Sequence, residues 1–237
     1  MKRSVICIVL SVFAYSQVMI NELQVWPINL TYGEVFSEFI ELANFGTEPA
    51  DLDGWTIQTN SGSAVITDVS ILPDEFAILA ISDNATMNLG LDVDFAWQFG
   101  AGVELSNISD NVSLFDTTGT LIDEVAYDAT TWPIEEGSSI ELINMLYDNN
   151  DPTQWQMGSV IYDVEDNQGS PRSVNDSWAP TPEIITIPEA IDFGIVYVSE
   201  TDSTIVQIMN VGGSELEITY FSDFSLDGVF SVDTPDI

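Results

Sequence analysis

Polar and apolar residues alternate along most of the chain at the two-residue period of a strand. No stretch holds apolar residues at helical spacing for three turns. The alternating runs are short, and Gly, Asn, Asp and Pro bound them. Glu38-Phe39-Ile40-Glu41-Leu42 places Ile40 and Leu42 on one face, and Asn44-Phe45-Gly46-Thr47-Glu48-Pro49 then turns the chain. Leu52-Asp53-Gly54-Trp55-Thr56-Ile57 resumes the pattern, with Gly54 expected to relieve crowding ahead of Trp55. After Pro73-Asp74-Glu75, residues Phe76, Ile78 and Ala80 recur at period two. Val112 and Leu114 lead into Asp116-Thr117-Thr118-Gly119, and Leu121, Asp123, Val125 and Tyr127 return, which predicts a hairpin with glycine at the left-handed position. Ile140 and Leu142 mark another short strand. Such spacing predicts an all-β chain, an antiparallel β-sandwich.

The first sixteen residues read differently. Lys2 and Arg3 form a basic start, Ser4 to Ala14 is an apolar run, and Ala14-Tyr15-Ser16 offers small residues at the positions a signal peptidase reads. A signal peptide over residues 1–16, cleaved after Ser16, is therefore expected, and with it a secreted, extracellular or cell-surface location. The run is shorter than the roughly 20 apolar residues of a spanning helix, and no other stretch reaches that length. Cys7 lacks the small-residue context that lipid attachment needs.

Charge narrows the chemistry. Against 39 Asp and Glu stand Lys2, Arg3 and Arg172, a formal net charge of −36, with no histidine and Cys7 the only cysteine. Ser-His-Asp triads, Cys-His dyads, His-ligated zinc and disulfide frameworks cannot be built within this chain. Direct binding of a nucleic-acid backbone is not expected, because nothing here replaces the condensed counterions. Leader cleavage would leave Arg172 alone among the acids. Screening over about 8–10 Å at physiological salt only partly relieves that repulsion, so the fold should prefer saline or calcium-rich water. Expected partners are cations, basic surfaces or neutral glycans, a protein or glycan at the cell surface among them.

From Ile20-Asn21-Glu22 to Asn175 the chain resembles the lamin tail domain as it occurs in secreted bacterial proteins. Matching pieces are Glu38-Phe39-Ile40-Glu41-Leu42-Ala43-Asn44, Leu52-Asp53-Gly54-Trp55, Ile71-Leu72-Pro73 and Leu105-Ser106-Asn107. Asp110 to Asp116, Gly119 and Ile122 to Tyr127 follow, then Ser138 to Leu142, Asp148 to Pro152 with Trp155, and Gly169-Ser170-Pro171. The resemblance implies an immunoglobulin-like β-sandwich over residues 17–175 that needs no disulfide. It brings no catalytic residue, and the family's secreted members serve as interaction or accessory modules. Residues 176–182 read as a linker. Residues 183–237, with Phe193-Gly194-Ile195-Val196 and Asn210-Val211-Gly212, look like part of an immunoglobulin-like repeat of the ASH and hydin type. That stretch suffices for about four or five of the seven strands such a sandwich uses, so the second domain is expected to be cut short or to borrow strands.

The functional expectation is a non-enzymatic, secreted or cell-surface interaction or adhesion module, with calcium as a candidate stabiliser. The alternative is the N-terminal accessory region of a larger secreted hydrolase, nuclease- or phosphatase-like, whose catalytic domain lies beyond Ile237. The calcium candidates are the oxygen donors Asp148, Asn150 and Asp151, against the plainer reading that these residues turn and cap the chain before Pro152. Asp51 with Asp53, Asp92 with Asp94, and Asp110 with Asn111 are weaker versions. None has EF-hand spacing, and no cofactor is expected. Trp132 and Trp155, near Pro133 and Pro152, are candidates for a sugar-stacking surface, whereas Trp55 is expected in the core. Of the sequons at Asn29, Asn84, Asn107, Asn111 and Asn175, most are read as chance in an Asn- and Ser-rich β protein.

Overall fold

The structure, a computed structural model, describes residues 4–7, 18–98, 100, 102–144, 148–176, 184–187, 204, 207–210 and 230–233. The chain forms two units: Ala14–Trp178, and Met1–Phe13 together with Ala179–Ile237. In the second of these, β1 (Ser4–Cys7) runs parallel to β16 (Phe230–Asp233), and β14 (Ile184–Ile187) runs antiparallel to β15 (Gln207–Asn210). The rest of the expected leader, most of the linker and most of the second domain lie outside the described residues.

Ala14–Trp178 is a two-layer sandwich. One sheet has the order β13 (Trp155–Met157), β12 (Ile140–Leu142), β2 (Val18–Gln24), β3 (Phe39–Asn44), β8 (Phe76–Ala80) and β9 (Phe95–Ala96). Its pairs are antiparallel except β8 with β9. The facing sheet has the order β11 (Leu121–Asp128), β10 (Ser109–Phe115), β5 (Thr56–Gln58) and β6 (Ser63–Val65). A small pair, β4 (Ala50–Asp51) with β7 (Ser70–Ile71), stands apart from both. The described residues otherwise hold only two 3-10 turns, Glu34–Phe36 and Pro152–Gln154, and no helix among them is long and apolar enough to cross a membrane.

The predicted alternation builds the core. Ile20, Leu23, Ile40, Leu42, Ile140 and Leu142 from one sheet meet Ile57, Val112, Leu114, Val125 and Tyr127 from the other. Each buried aliphatic side chain of this kind contributes about 1.5–3 kcal/mol of transfer free energy. The 116–119 hairpin forms as its residues demand: the Asp116 carboxylate accepts from the amides of Thr118 and Thr120, and Gly119 sits at φ 81°. Gly54 is required for a different reason than crowding against Trp55. Its φ is 81°, and a Cβ there would lie 3.1 Å from Thr117 Cγ2.

The six-stranded sheet is covered on both faces. Ala77 and Leu79 join the main core, while Ile78 and Ala80 pack with Phe39 on the opposite side, against Leu91, Val93 and Tyr162. All residues of β2 and β3 are consequently buried. The covering layer is built from the loop that carries Leu91 and Val93 and from the stretch 158–176. Asn167 anchors that stretch at one end by clasping the backbone of Ile28, donating to its carbonyl at 2.8 Å and accepting from its amide at 2.7 Å.

Candidate functional site

The densest chemistry in the fold lies under that covering layer. An irregularity in β2 between Ile20 and Glu22 shifts the register, so Glu22 stands opposite Glu41 of β3 on one side and Glu141 of β12 on the other. Residues directly opposite in neighbouring strands have Cβ atoms about 4.5–5.5 Å apart. Three carboxyl groups therefore form a row across three strands, each residue 0% exposed.

The row is fastened to segment 169–176. The Ser170 amide donates to Glu22 Oε1 at 3.1 Å, and Ser170 Oγ donates to Glu141 Oε1 at 2.7 Å. The Arg172 amide donates to Glu41 Oε2 at 2.6 Å, and Asn21 Nδ2 donates to Glu41 Oε1 at 2.7 Å. Asn175 completes the seam, exchanging side-chain hydrogen bonds with Asn21 and donating to the Leu142 carbonyl at 2.9 Å. Gly169 passes so close that a Cβ there would overlap Glu22 Oε1 and lie 2.7 Å from Ser139 Oγ.

No cationic side chain pairs directly with the row, and the Arg172 charge only partly opposes the rise of Glu41. The Arg172 guanidinium is committed to Asp92 at 3.1 Å and Asp94 at 2.6 Å. Burial, reinforced by repulsion from Glu41, pushes Glu22 up to about 8. Glu41 is raised to about 8 by burial and by Glu141, with the hydrogen bonds from Arg172 and Asn21 opposing. Glu141 is raised to about 8 by burial, by its hydrogen bond with Asp176 and by Glu22. Burial works against charge on Asp176 as well, yet its bonds with Glu141 and Ser159 hold it below the usual range. Glu141 Oε2 is buried with no donor aimed at it. Beside an Asp176 carboxylate, that arrangement is satisfied when Glu141 carries the proton. Ser139 Oγ, fully buried, lies beside Glu22 without closing a bond of ordinary length.

Glu38 and Asp110 are buried elsewhere in the fold, and Asp123 is half-buried. Glu38 accepts from the Leu105 amide at 2.9 Å and is raised to about 8 by burial. Asp123, raised by burial, accepts from the Ile20 amide at 2.6 Å and from Asn149 Nδ2, and so ties the two sheets together.

The calcium candidates serve as turn and cap residues. Asp148 Oδ1 accepts from the Asn150 amide, Asn150 Oδ1 accepts from the Ala126 amide, and Asp151 Oδ1 accepts from the amide and hydroxyl of Thr153. Among the described residues no group of three or more His, Cys, Asp or Glu is placed to hold a metal ion. Asp92 and Asp94 take Arg172, and Asp110 accepts from the Asn60 and Ser106 amides. Asp51 and Asp53 line an open hollow of about 430 Å³ with Asp68.

The tryptophans require correction. Trp132 and Trp155 are 6% and 4% exposed and pack on each other with ring centroids 5.5 Å apart, so neither offers a face to a sugar. Trp155 Nε1 donates to the Asn149 carbonyl at 2.9 Å. Trp55, expected inside, is half-buried at the edge of the core. Of the sequons, Asn29 and Asn175 are buried and hydrogen-bonded.

Glu22, Glu41 and Glu141 are not among the candidate residues that stand out in the sequence. The signal that could have found them is a Glu at strand positions flanked by core residues in three separate runs: Ile20 and Leu23, Ile40 and Leu42, Ile140 and Leu142. Among known families, the Lamin Tail Domain matches residues 11–129, just over half of the 237 residues. No curated protein matches the chain.

Proposed function

The chain belongs to the lamin tail domain family, and from that premise we propose that it is a non-catalytic interaction module working outside the cell or at its surface. One observation carries the reading. In residues 18–176 the sole basic side chain is Arg172, and Asp92 and Asp94 already hold it, so every free charge offered to a partner there is negative. A basic protein surface or a cation-bridged glycan is the complementary partner. The loop ends of the sandwich, where Asp51, Asp53 and Asp68 rim one hollow and Asp116 with Thr117 and Thr118 another, are where such modules present binding groups.

Localisation is tested by expressing the full chain with its own N-terminus in a secreting bacterial host and sequencing the N-terminus of the product. Protein beginning at Gln17 outside the cells supports the reading. Intact Met1 on protein kept inside sinks it, and such a product would retain β1 as the partner of β16. The exported protein should then bind immobilised poly-lysine, but not poly-glutamate, with an affinity that falls as salt rises. Equal retention on both would reject charge as the basis of recognition. Calcium belongs to the proposal only if CaCl2 raises the melting temperature beyond NaCl of equal ionic strength.

A further inference from the structure

Three buried carboxyl groups whose nearest cation, Arg172, is already paired with Asp92 and Asp94 cannot all be ionised in one low-dielectric seam. Each hydrogen bond from Ser170 and Arg172 to the sheet ends on this row, and Asn175 binds its Asn21 neighbour and the Leu142 carbonyl. Arg172 moreover sits at φ 63°, a left-handed conformation that a residue with a Cβ keeps only when its surroundings hold it. Glu141 Oε2, buried without a donor, points to the missing component, a proton.

We propose that segment 169–176 is a proton-held latch, seated on the six-stranded sheet while the Glu22–Glu41–Glu141 row keeps its protons and released when the row ionises. The groups facing the row are Tyr162, Arg172 and Asp176 from the covering layer, with Asp163 beside Tyr162. Arg172 alone among them favours ionisation, and it is already shared by two aspartates. Docked, the three carboxyls lie near 8; hydrated, they return to the ordinary range near 4.3. Docking is thus strongest below the ordinary range and is lost as pH climbs through about 8. Between those limits each proton released on opening raises the opening constant about tenfold per pH unit. The anchored stretch around Asn167 would stay in place. Release would uncover the carboxylate seam, turning a neutral face into an anionic one, a change that stands whether or not the module's partner is basic.

The sequence supplies its own probe. Beyond residue 3, Arg172 is the only Lys or Arg, so trypsin can cut the sandwich only after this residue. The rate of cleavage at Arg172–Ser173, normalised at each pH to a small arginine substrate, reads latch opening. We expect it to rise at least about tenfold between about pH 6.5 and 9 while near-UV circular dichroism stays native. Glu22→Gln, which fixes one of the three carboxyls in its protonated shape, should show a smaller rise across the same range. Should that variant fail to fold, Glu141→Gln and hydrogen exchange of the Ser170 and Arg172 amides in the unaltered chain supply the same readings. A flat profile, or an equal rise in a folded Gln variant, overturns the proposal. So does a rise that millimolar CaCl2 abolishes at matched ionic strength, since a cation rather than protons would then balance the row.

Discussion

Glu22 is a strand residue with one oxygen on the Ser170 amide and a fellow glutamate in each neighbouring strand. At that position a neutral side chain of the same shape has the advantage, because burial penalises the charged form far more than the neutral one. Glu22→Gln should stabilise the fold by about 1–3 kcal/mol at about pH 9 and change little at about pH 5, as read from urea midpoints at unchanged slope. A loss at both pH values would mean that the carboxylate form is the one the site needs. Trp155 carries the opposite lesson. Its ring packs on Trp132 and its Nε1 donates to Asn149, so Trp155→Ala should cost about 3–5 kcal/mol, with no change in retention of the folded fraction on polysaccharide gels. Selective loss of sugar retention at unaltered stability would restore the surface role.

Elements differ in how far the chain announces them. Ile40 with Leu42, Ile140 with Leu142, and the Asp116–Gly119 turn were legible because one apolar face and a left-handed glycine leave few alternatives. The second covered face was not. A glutamate between core residues reads as a solvent position, since charged residues are almost never fully buried unless paired. What buries Glu22 and Glu41, at Ser170 and Arg172, lies more than a hundred residues downstream. Trp132 and Trp155 misled through their proline neighbours, which mark turns but say nothing about which way an adjacent ring points. The 169–176 element depends on close approach, and this can be tested directly. Gly169→Ala drives a methyl group into Glu22 and Ser139, so its opening, read by tryptic cleavage at Arg172, should rise at every pH. Asn175→Ala removes the bond to the Leu142 carbonyl and the pair exchanged with Asn21, and should cost about 1–3 kcal/mol. Unchanged stability in both variants would show that the segment contributes little to the fold.

At the scale of the molecule, charge and burial act in the same direction. A net charge of −36 opposes compaction, so melting temperature should climb with NaCl; no climb would mean the carboxylates are already compensated locally. Residues 17–175 should fold alone, because both sheets and all of the covering stretch but Asp176 lie within them. Glu22, Glu38, Glu41 and Glu141 are all raised on folding, so they contribute stability below their unfolded values that is lost as pH rises through about 8. Asp116, Asp128, Asp151 and Asp176 are held low, so what they contribute is present above the ordinary carboxylate range and fades only in stronger acid. The two sets therefore act in separate windows.

Urea unfolding of the chain across about pH 5 to 9 at constant ionic strength distinguishes a protonated row from an ionised one. A buried row that holds protons predicts an unfolding free energy that falls by at least about 1 kcal/mol per pH unit between pH 5 and 8 and levels off above it. Stability that is flat or rising over that interval would contradict it, and would mean that the three glutamates are ionised in the folded protein with their charge balanced by something else.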